Sequence, residues 1–310
     1  MKRLALAALL LLCAATTGAT ERHYGLSPEK VAPDTYVFVG RAENFSSANG
    51  GNIVNTGFIV TKTGVVVIDT GPSLLYGREM RDAIARVTPL PVIRVINTHL
   101  HPDHIFGNQA FADVGIEALP ATIRGEETQA KAFADNMYRM VGPWMQGTEP
   151  LLPARPIPRA VQTVGGHRLE MIAVSGHTDA DLMVLDHATG VLFASDMAFL
   201  DRAPTTPHAD VAAWVAALDE MAKLPFRTLI PGHGRPDKEG RAIRQTRDWL
   251  VWLDATLGAA AADGLEMTEM MARPIPDRFA GIALAREEFV RSVSHLYPRL
   301  EQASLRRAER

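Results

Sequence analysis

The stretch VIRVINTHLHPDH (residues 92–104) decides how this chain folds. Val92–Ile96 is a β-branched, apolar run that predicts a buried strand. Four side chains that bind metal ions follow it within six residues: His99, His101, Asp103 and His104. Along an extended strand, side chains two residues apart share a face, and Pro102 then turns the chain. The pattern indicates either a polar surface loop or one part of a metal site that needs further ligands.

Three further candidate ligands each follow a predicted strand. They are His177 after Leu169–Val174, Asp196 after Val191–Ala194, and His233 after Thr228–Ile230. Taken singly, a histidine or aspartate at a strand end is more often a turn or surface residue. Taken together with HLHPDH, they favour a metal site at one edge of a sheet.

Apolar periodicity predicts strands and helices along most of the chain. The other predicted strands are Tyr36–Val39, Asn52–Val60, Val65–Asp69, Ile116–Leu119 and Leu182–Asp186. The predicted helices are Leu74–Val87, Thr122–Met140 with Thr122 as N-cap, Asp210–Leu224, Asp237–Leu257, Thr268–Met271 and Leu284–Leu300. This order suggests two central sheets with helices outside. The proline-rich segment Val141–Pro158 is interpreted as a surface loop or lid.

Residues 1–19, MKRLALAALLLLCAATTGA, are typical of a cleaved export signal. Lys2 and Arg3 precede the apolar run Leu4–Leu12, and small residues follow it. An uncleaved anchor is the alternative, but a membrane-spanning helix needs about 20 apolar residues. We therefore expect a periplasmic or secreted protein without stable membrane insertion after cleavage. Residues 20–310 would form one domain with a C-terminal helical extension.

Cysteine content and charge exclude several classes of function. Cys13 is the only cysteine and lies in the predicted signal, so the mature chain offers no thiolate nucleophile. Its metal ligands would be nitrogen and oxygen atoms. The formal charge is −3, and cleavage would also remove two basic residues, Lys2 and Arg3. An acidic chain of this kind predicts no nucleic-acid partner.

The succession HxHxDH, GH, strand-end Asp and PGHG resembles the metallo-β-lactamase superfamily from about Tyr36 to Gly234. The resemblance implies an α/β fold, an αββα sandwich of two mixed β-sheets with outer helices. It also implies two zinc ions per chain, although ligands of this type do not exclude iron or manganese. Carried over to this sequence, the first ion takes His99, His101 and His177, the second takes Asp103, His104 and His233, and Asp196 bridges both.

The function implied by the resemblance is an exported dinuclear zinc hydrolase. A hydroxide held between the two ions would attack the carbonyl of an ester, thioester, lactone or lactam in a small-molecule substrate, with Asp103 as the catalytic residue that orients it. Asp196 stands where one type of β-lactamase has cysteine, which favours ester and thioester hydrolases, but a β-lactamase proper remains an alternative.

The segment LFASDMAFLDRAP (residues 192–204) resembles periplasmic zinc metallohydrolases linked to quinoprotein dehydrogenase systems. That resemblance leaves a third possibility, a non-catalytic or redox metal-binding partner of a periplasmic dehydrogenase.

Several residues outside the ligand set are interpreted from their sequence context. Asp69 would support the metal loop, Asn108 would hold that loop or the oxyanion, and Arg202 would bind a substrate carboxylate unless it is a solvated loop residue. His208 is placed at a helix start, and four other histidines are placed at the surface: His23, His167, His187 and His295. An apolar group near the predicted lid indicates helix packing or a substrate pocket: Met137, Met140, Trp144 and Met145.

Overall fold

Two β-sheets lie at the centre of the protein. The computed structural model describes residues 22–157 and 160–308, so the predicted export signal lies outside the described residues. The first sheet contains, in spatial order, β1 (Glu29–Ala32), β2 (Thr35–Phe38), β3 (Thr56–Thr61), β4 (Gly64–Ile68), β5 (Val92–Ile96), β6 (Ile116–Ala118) and β7 (Arg155–Pro156). Neighbouring strands are antiparallel from β1 to β4 and parallel from β4 to β7.

The second sheet contains five strands and is also mixed. It contains β8 (Val161–Val164), β9 (His167–Val174), β10 (Asp181–Asp186), β11 (Val191–Phe199) and β12 (Thr228–His233). The first four are antiparallel, whereas β12 runs parallel to β11. This parallel pair matters for the site, because it brings two strand ends to the same edge.

Helices cover the outer faces of the sheets. They are α1 (Leu74–Val87), α2 (Pro102–Ile105), α3 (Pro120–Val141), α4 (Val211–Met221), α5 (Arg241–Ala262), α6 (Met267–Ala272) and α7 (Ala285–Ala308). Helices α1 and α4 begin at N-caps, Ser73 and Asp210, whose side chains accept backbone N–H groups of the first turn. The chain thus contains clear start signals where two of its outer helices begin.

The packing of β4 shows how the layers are built. Val66 and Ile68 lie in the apolar cluster between the two sheets, with Leu182 and Phe193 of the second sheet. Val65 and Val67 point the other way, into the cluster beneath α1. Both faces of this strand are buried, which explains its unbroken apolar run.

A third cluster covers the second sheet on its outer side. It joins residues of β11 to large side chains of α4, α5 and α7, including Trp214, Trp249 and Phe289. The layers therefore follow the order α, β, β, α, and the expected αββα sandwich is confirmed. Over residues 22–157 and 160–308, no helix is both long enough and apolar enough to span a bilayer.

The structure moves several predicted boundaries: α5 begins at Arg241 instead of Asp237, and β11 extends past Ala194 to Phe199. Two further differences come from contacts across the fold. The strand predicted from Asn52 begins at Thr56, because Asn55 turns inward and its amide donates to the carbonyls of Pro231 and Gly234. Thr122 is not an N-cap. It lies inside α3, where its hydroxyl donates to the carbonyl of Ala180 at 3.1 Å.

The predicted lid, Val141–Pro158, is only partly a loop. Its first residues form a 3-10 helix, Gly142–Met145, and Arg155–Pro156 forms the edge strand β7. Met145 is buried beside Phe106 and Met137. Apolar burial therefore fixes the start of a segment whose prolines indicated a surface loop.

Glu126 of α3 is a buried carboxyl outside the ligand set. Its side chain is 1% exposed, and neither carboxylate oxygen has a hydrogen-bond partner among the described residues. Burial, and secondarily the charge of Asp69, raises the pKa of Glu126 from 4.5 to about 8. Between these values the native state holds more protons than the unfolded state, so stability falls as pH rises through that window.

We expect Glu126→Gln to remove this loss of stability. The variant should gain free energy of unfolding over the wild type as pH rises from about 5 to about 8, by at most about 1.4 kcal/mol per pH unit. Urea unfolding at both pH values measures the difference. Glu127→Gln, at the exposed neighbouring position, is the matched control. An equal pH dependence in wild type and Glu126→Gln would contradict the assignment.

Candidate metal centre

All seven predicted ligands meet at one edge of the sandwich. His99 and His101 follow β5, and Asp103 and His104 lie in the short helix α2. The other three come from the second sheet: His177 between β9 and β10, Asp196 within β11, and His233 at the end of β12. Each of the seven is buried, with at most 8% of its surface exposed. The donor atoms form two groups. The first group contains His99, His101, His177 and Asp196, and the second contains Asp103, His104 and His233.

The first group places three imidazole nitrogens against one another. His101 Nδ1 lies 3.1 Å from His99 Nε2 and 2.8 Å from His177 Nε2, and Asp196 Oδ2 lies 3.2 Å from His177 Nε2. Burial, reinforced by neighbouring imidazoles, lowers the pKa of His99 and of His101 well below 6.5. This shift favours the neutral form of His99 and of His101, and a single ring hydrogen can bridge only one of the contacts between these nitrogens. A cation satisfies all of them, and tetrahedral zinc spaces its donors by about 3.3 Å.

The second group contains buried polar atoms that lack partners. His104 Nε2 lies 3.2 Å from Asp196 Oδ1, but the two are not aligned as a hydrogen bond, and neither has another partner among the described residues. His233 Nε2 lies 3.5 Å from Asp103 Oδ2 and 3.4 Å from Asp196 Oδ2. Buried polar atoms are normally paired. These atoms therefore fit a second cation, with Asp196 between the two positions.

Hydrogen bonds on the far side of the rings direct them at the site. Asp69 Oδ2 lies 2.8 Å from His104 Nδ1, and the same carboxylate accepts the backbone N–H and hydroxyl of Thr98. His233 Nδ1 donates to the carbonyl of Ile53 at 2.7 Å. Both contacts leave Nε2 facing the candidate cation. Asp69 thus lies where the sequence resemblance placed it.

The carboxylates and imidazoles strongly shift each other's protonation. Burial would lower the pKa of His104, but Asp196, Asp69 and Asp103 outweigh it and raise that pKa well above 6.5. Burial would raise the pKa of Asp196, but His233 and His104 hold it well below 3.8. The cluster therefore attracts positive charge, which a bound cation supplies in place of a proton.

Two residues predicted near the chemistry have defined partners. The Asn108 amide donates to Asn97 Oδ1 and to the carbonyl of Leu151, and its oxygen accepts from Thr70 and Asn97. It therefore holds the metal loop, and its amide donors are already used, so they are not placed for an oxyanion. Arg202 is not a solvated loop residue, because it is 2% exposed and lies 3.5 Å from Glu288.

Sequence reasoning missed His208. The helix begins after it, at the N-cap Asp210, and His208 Nδ1 lies 2.8 Å from His101 Nε2. His167 was also misplaced, since it is buried and paired with Asp186 at 2.8 Å rather than at the surface. No spacing in the sequence links His208 to HLHPDH, because the contact forms across 107 residues.

A cavity of about 380 Å³ opens above the ligands. Four candidate ligands line its floor: His101, Asp103, Asp196 and His233. The lining also includes apolar side chains, Phe45, Phe133 and Met140, and cationic or ionisable ones, Arg202, Arg291 and His295. Of the predicted apolar group, Met140 lines the cavity, while Met137 and Met145 pack behind it.

We expect His208→Ala to weaken metal binding. With a cation on His101 Nδ1, the ring hydrogen of His101 lies on Nε2, and His208 Nδ1 at 2.8 Å accepts it and keeps Nδ1 turned to the site. Loss of such a contact typically costs tenfold to about a hundredfold in affinity. Chelator competition with purified protein measures the affinity. His187→Ala, which removes a histidine paired with Glu170 instead, is the control. Unchanged affinity in His208→Ala would show that this contact does not position the ligand.

Comparisons with known proteins agree with this geometry. The solved metallo-beta-lactamase from Pontibacter korlensis superposes with a TM-score of 0.60 at 19% identity, covering 73% of this chain and 99% of that one. The metallo-beta-lactamase IND-7 gives 0.59 at 19% identity, covering 74% and 100%. At these identities the likeness shows the fold alone.

Two curated relatives are similar in sequence, one over most of this chain and the other over about half of it. A linear primary-alkylsulfatase from Pseudomonas sp. is 22% identical over 291 residues, covering 78% of this chain and 54% of the relative. The acyl-coenzyme A thioesterase MBLAC2 of Gallus gallus is 24% identical over 159 residues, covering 47% and 57%. The chain thus spans about half the length of these relatives.

A sequence model described as the metallo-beta-lactamase superfamily matches residues 49–233, more than half of the chain. The chain belongs to the metallo-beta-lactamase superfamily.

Proposed function

We propose that this protein is a dinuclear zinc hydrolase of esters or thioesters. The observation that carries the proposal is Asp196, whose carboxylate lies beside imidazoles of both groups: Oδ2 is 3.2 Å from His177 Nε2 and 3.4 Å from His233 Nε2, and Oδ1 is 3.2 Å from His104 Nε2. Two zinc ions at these positions would supply a hydroxide near neutral pH and polarise the bond to be cleaved. Nitrogen and oxygen donors alone do not select zinc, and iron or manganese would use the same residues.

Asp103 is the side chain best placed to handle a proton. It lies on the cavity floor, and its Oδ2 is 3.5 Å from His233 Nε2 and 3.9 Å from His104 Nε2. A carboxylate at this position orients the attacking water through a hydrogen bond and accepts its proton. It then returns that proton to the leaving group, so that the alkoxide or thiolate departs as a neutral alcohol or thiol.

The cavity supports a substrate with an apolar portion beside the bond to be cleaved. Phe45, Phe133 and Met140 line one wall directly above the ligands. The names of both curated relatives combine an alkyl or acyl chain with a hydrolysable group. The alkylsulfatase match favours a second candidate reaction, hydrolysis of a sulfate ester at the same centre. A β-lactamase proper and a redox or non-catalytic partner of a dehydrogenase system are the remaining alternatives.

Hydrolysis by zinc-loaded protein tests the proposal, with Asp103→Asn as the matched variant. We expect two zinc ions per chain and turnover of medium-chain esters or thioesters, and a loss of kcat of about a hundredfold or more in Asp103→Asn. A parallel panel of alkyl sulfates, lactones and β-lactams separates the candidate reactions. An inert wild type holding two zinc ions would contradict the hydrolase and favour the non-catalytic alternative.

We also propose that the protein is exported. The support is the sequence of residues 1–19, with its basic start and apolar run. Expression of the whole chain in a Gram-negative host should yield periplasmic protein whose first residue is Thr20. Recovery of a chain that still begins at Met1 in the cytoplasmic fraction would contradict export.

A further inference from the structure

The polar wall of the cavity is formed largely by helix α7. Arg291 and His295 lie one turn apart on this helix and both line the cavity above the candidate ligands. Arg202 and Thr205, from the loop after β11, complete the wall. Helix α7 lies after residues 49–233, the part that the superfamily model matches. The α7 part of this wall therefore lies outside the family match, whereas Arg202 and Thr205 lie within it.

Arg291 is held in place and still exposes donors. Its guanidinium donates to Glu288 Oε1 at 3.0 Å and to Asn44 Oδ1 at 3.4 Å. These contacts use two of the five N–H groups of an arginine. The side chain is 37% exposed and borders the cavity. Arg291 can therefore donate further hydrogen bonds to a group inside the cavity.

Arg202 provides a second, buried donor in the same wall. Its side chain is 2% exposed, and its Nε has no hydrogen-bond partner among the described residues. Its Nη1 contacts Thr205 Oγ1 at 3.2 Å and its Nη2 contacts Glu288 Oε1 at 3.5 Å. A buried N–H of a charged group that lacks a protein acceptor leaves a place for an oxygen atom, which a water or a substrate group would supply. Glu288 Oε2 of the same network likewise lacks a donor among the described residues.

The charges of this wall do not cancel. Glu288 Oε1 accepts from Arg202, Thr205 and Arg291, so one carboxylate is shared by two guanidinium groups. Burial also raises the pKa of Glu288, although the two arginines counteract that effect. The apolar lining residues Phe45, Phe133 and Met140 add no charge. The wall formed by the two arginines therefore has an excess of positive charge, and the other carboxylates that act on Arg202, those of Asp103 and Asp196, are the ones that the cations would bind.

We propose that Arg291 and Arg202 form an anion subsite that binds a carboxylate, or another anionic oxygen group, carried by the substrate in addition to the bond that is hydrolysed. The assignment rests on the proposed hydrolase function for the position of that bond. The preferred substrate is thus an ester or thioester whose apolar chain ends in an anionic group. Planar guanidinium groups suit such an anion because they donate two parallel hydrogen bonds.

A pair of esters that differ only at the chain end tests the subsite. The substrates are the mono-p-nitrophenyl ester of adipic acid and p-nitrophenyl hexanoate, hydrolysed by zinc-loaded wild type, Arg291→Gln and Arg291→Lys. In Arg291→Gln we expect KM for the adipic ester to rise about tenfold to a hundredfold with kcat unchanged, and KM for the hexanoate to stay within about twofold. Arg291→Lys should lie between, because it keeps the charge and loses the fork.

Arg299→Gln is the matched control, since it removes the same charge from an exposed position of α7. The selective KM change should be absent from this variant. Equal changes for both esters in Arg291→Gln, or no change for either, would overturn the subsite.

Equilibrium binding separates this proposal from the hydrolase proposal. Calorimetry with zinc-loaded protein should show that adipate binds more tightly than hexanoate, because only adipate can place one carboxylate at the metal centre and another at Arg291. Arg291→Gln should abolish that preference. If the wild type hydrolyses neither ester but prefers adipate over hexanoate, and Arg291→Gln loses that preference, the subsite is supported and the hydrolase proposal is contradicted. Equal affinities in the wild type would overturn the subsite itself.

Discussion

The metal centre depends on one close contact between neighbouring strands. Asp196 of β11 stands between the two groups of imidazoles, and β12 passes directly beside it. A Cβ atom on Gly232 would collide with Asp196 Oδ1, so only glycine at this position lets β12 approach closely enough to place His233. Ser195 has a left-handed backbone, with φ of 49°, and the strand register is irregular on either side of it. Local strain and a missing side chain together position the carboxylate shared by both groups.

Without a bound cation, the same arrangement leaves buried polar atoms lacking hydrogen-bond partners. Asp69, Asp103 and Asp196 are buried with the imidazoles, and His104 Nε2 and Asp196 Oδ1 face each other without a hydrogen bond. Uncompensated buried polar groups cost on the order of 1–3 kcal/mol each. A ligand that binds the folded state alone contributes its binding free energy to stability. Cation binding at this edge would therefore stabilise the fold as well as supply the chemistry, because the first sheet, the second sheet and α2 all contribute donors.

Local signals explain which parts of the structure could be predicted. The helix Leu74–Val87 and the strand Val92–Ile96 have the predicted bounds. Ser73 caps the start of the helix, Pro89 and Pro91 separate it from the strand, and the strand itself is a β-branched run. The ligand set was predictable because each donor lies in or shortly after a buried apolar run, although Asp196 and His233 belong to strands that extend further than predicted. The strands β1, β7 and β8 were missed since they are short edge strands with exposed or half-buried side chains and weak apolar alternation. Thr122 resembled an N-cap, but its hydroxyl bonds a distant carbonyl instead.

The surroundings of the metal centre depend on contacts that no local pattern encodes. His208 contacts His101 across 107 residues, and Arg291 contacts Asn44 across 247 residues. Both depend on how α7 and the loop before α4 pack against the second sheet, through the cluster that contains Trp214 and Phe289. The donors that hold a cation lie within the matched part of the superfamily, whereas the charged cavity wall lies partly outside it. Under the proposed function, the ligand cluster would set reactivity and α7 would set part of the substrate choice, so that changes in α7 would alter the substrate while the buried ligand cluster stays unchanged.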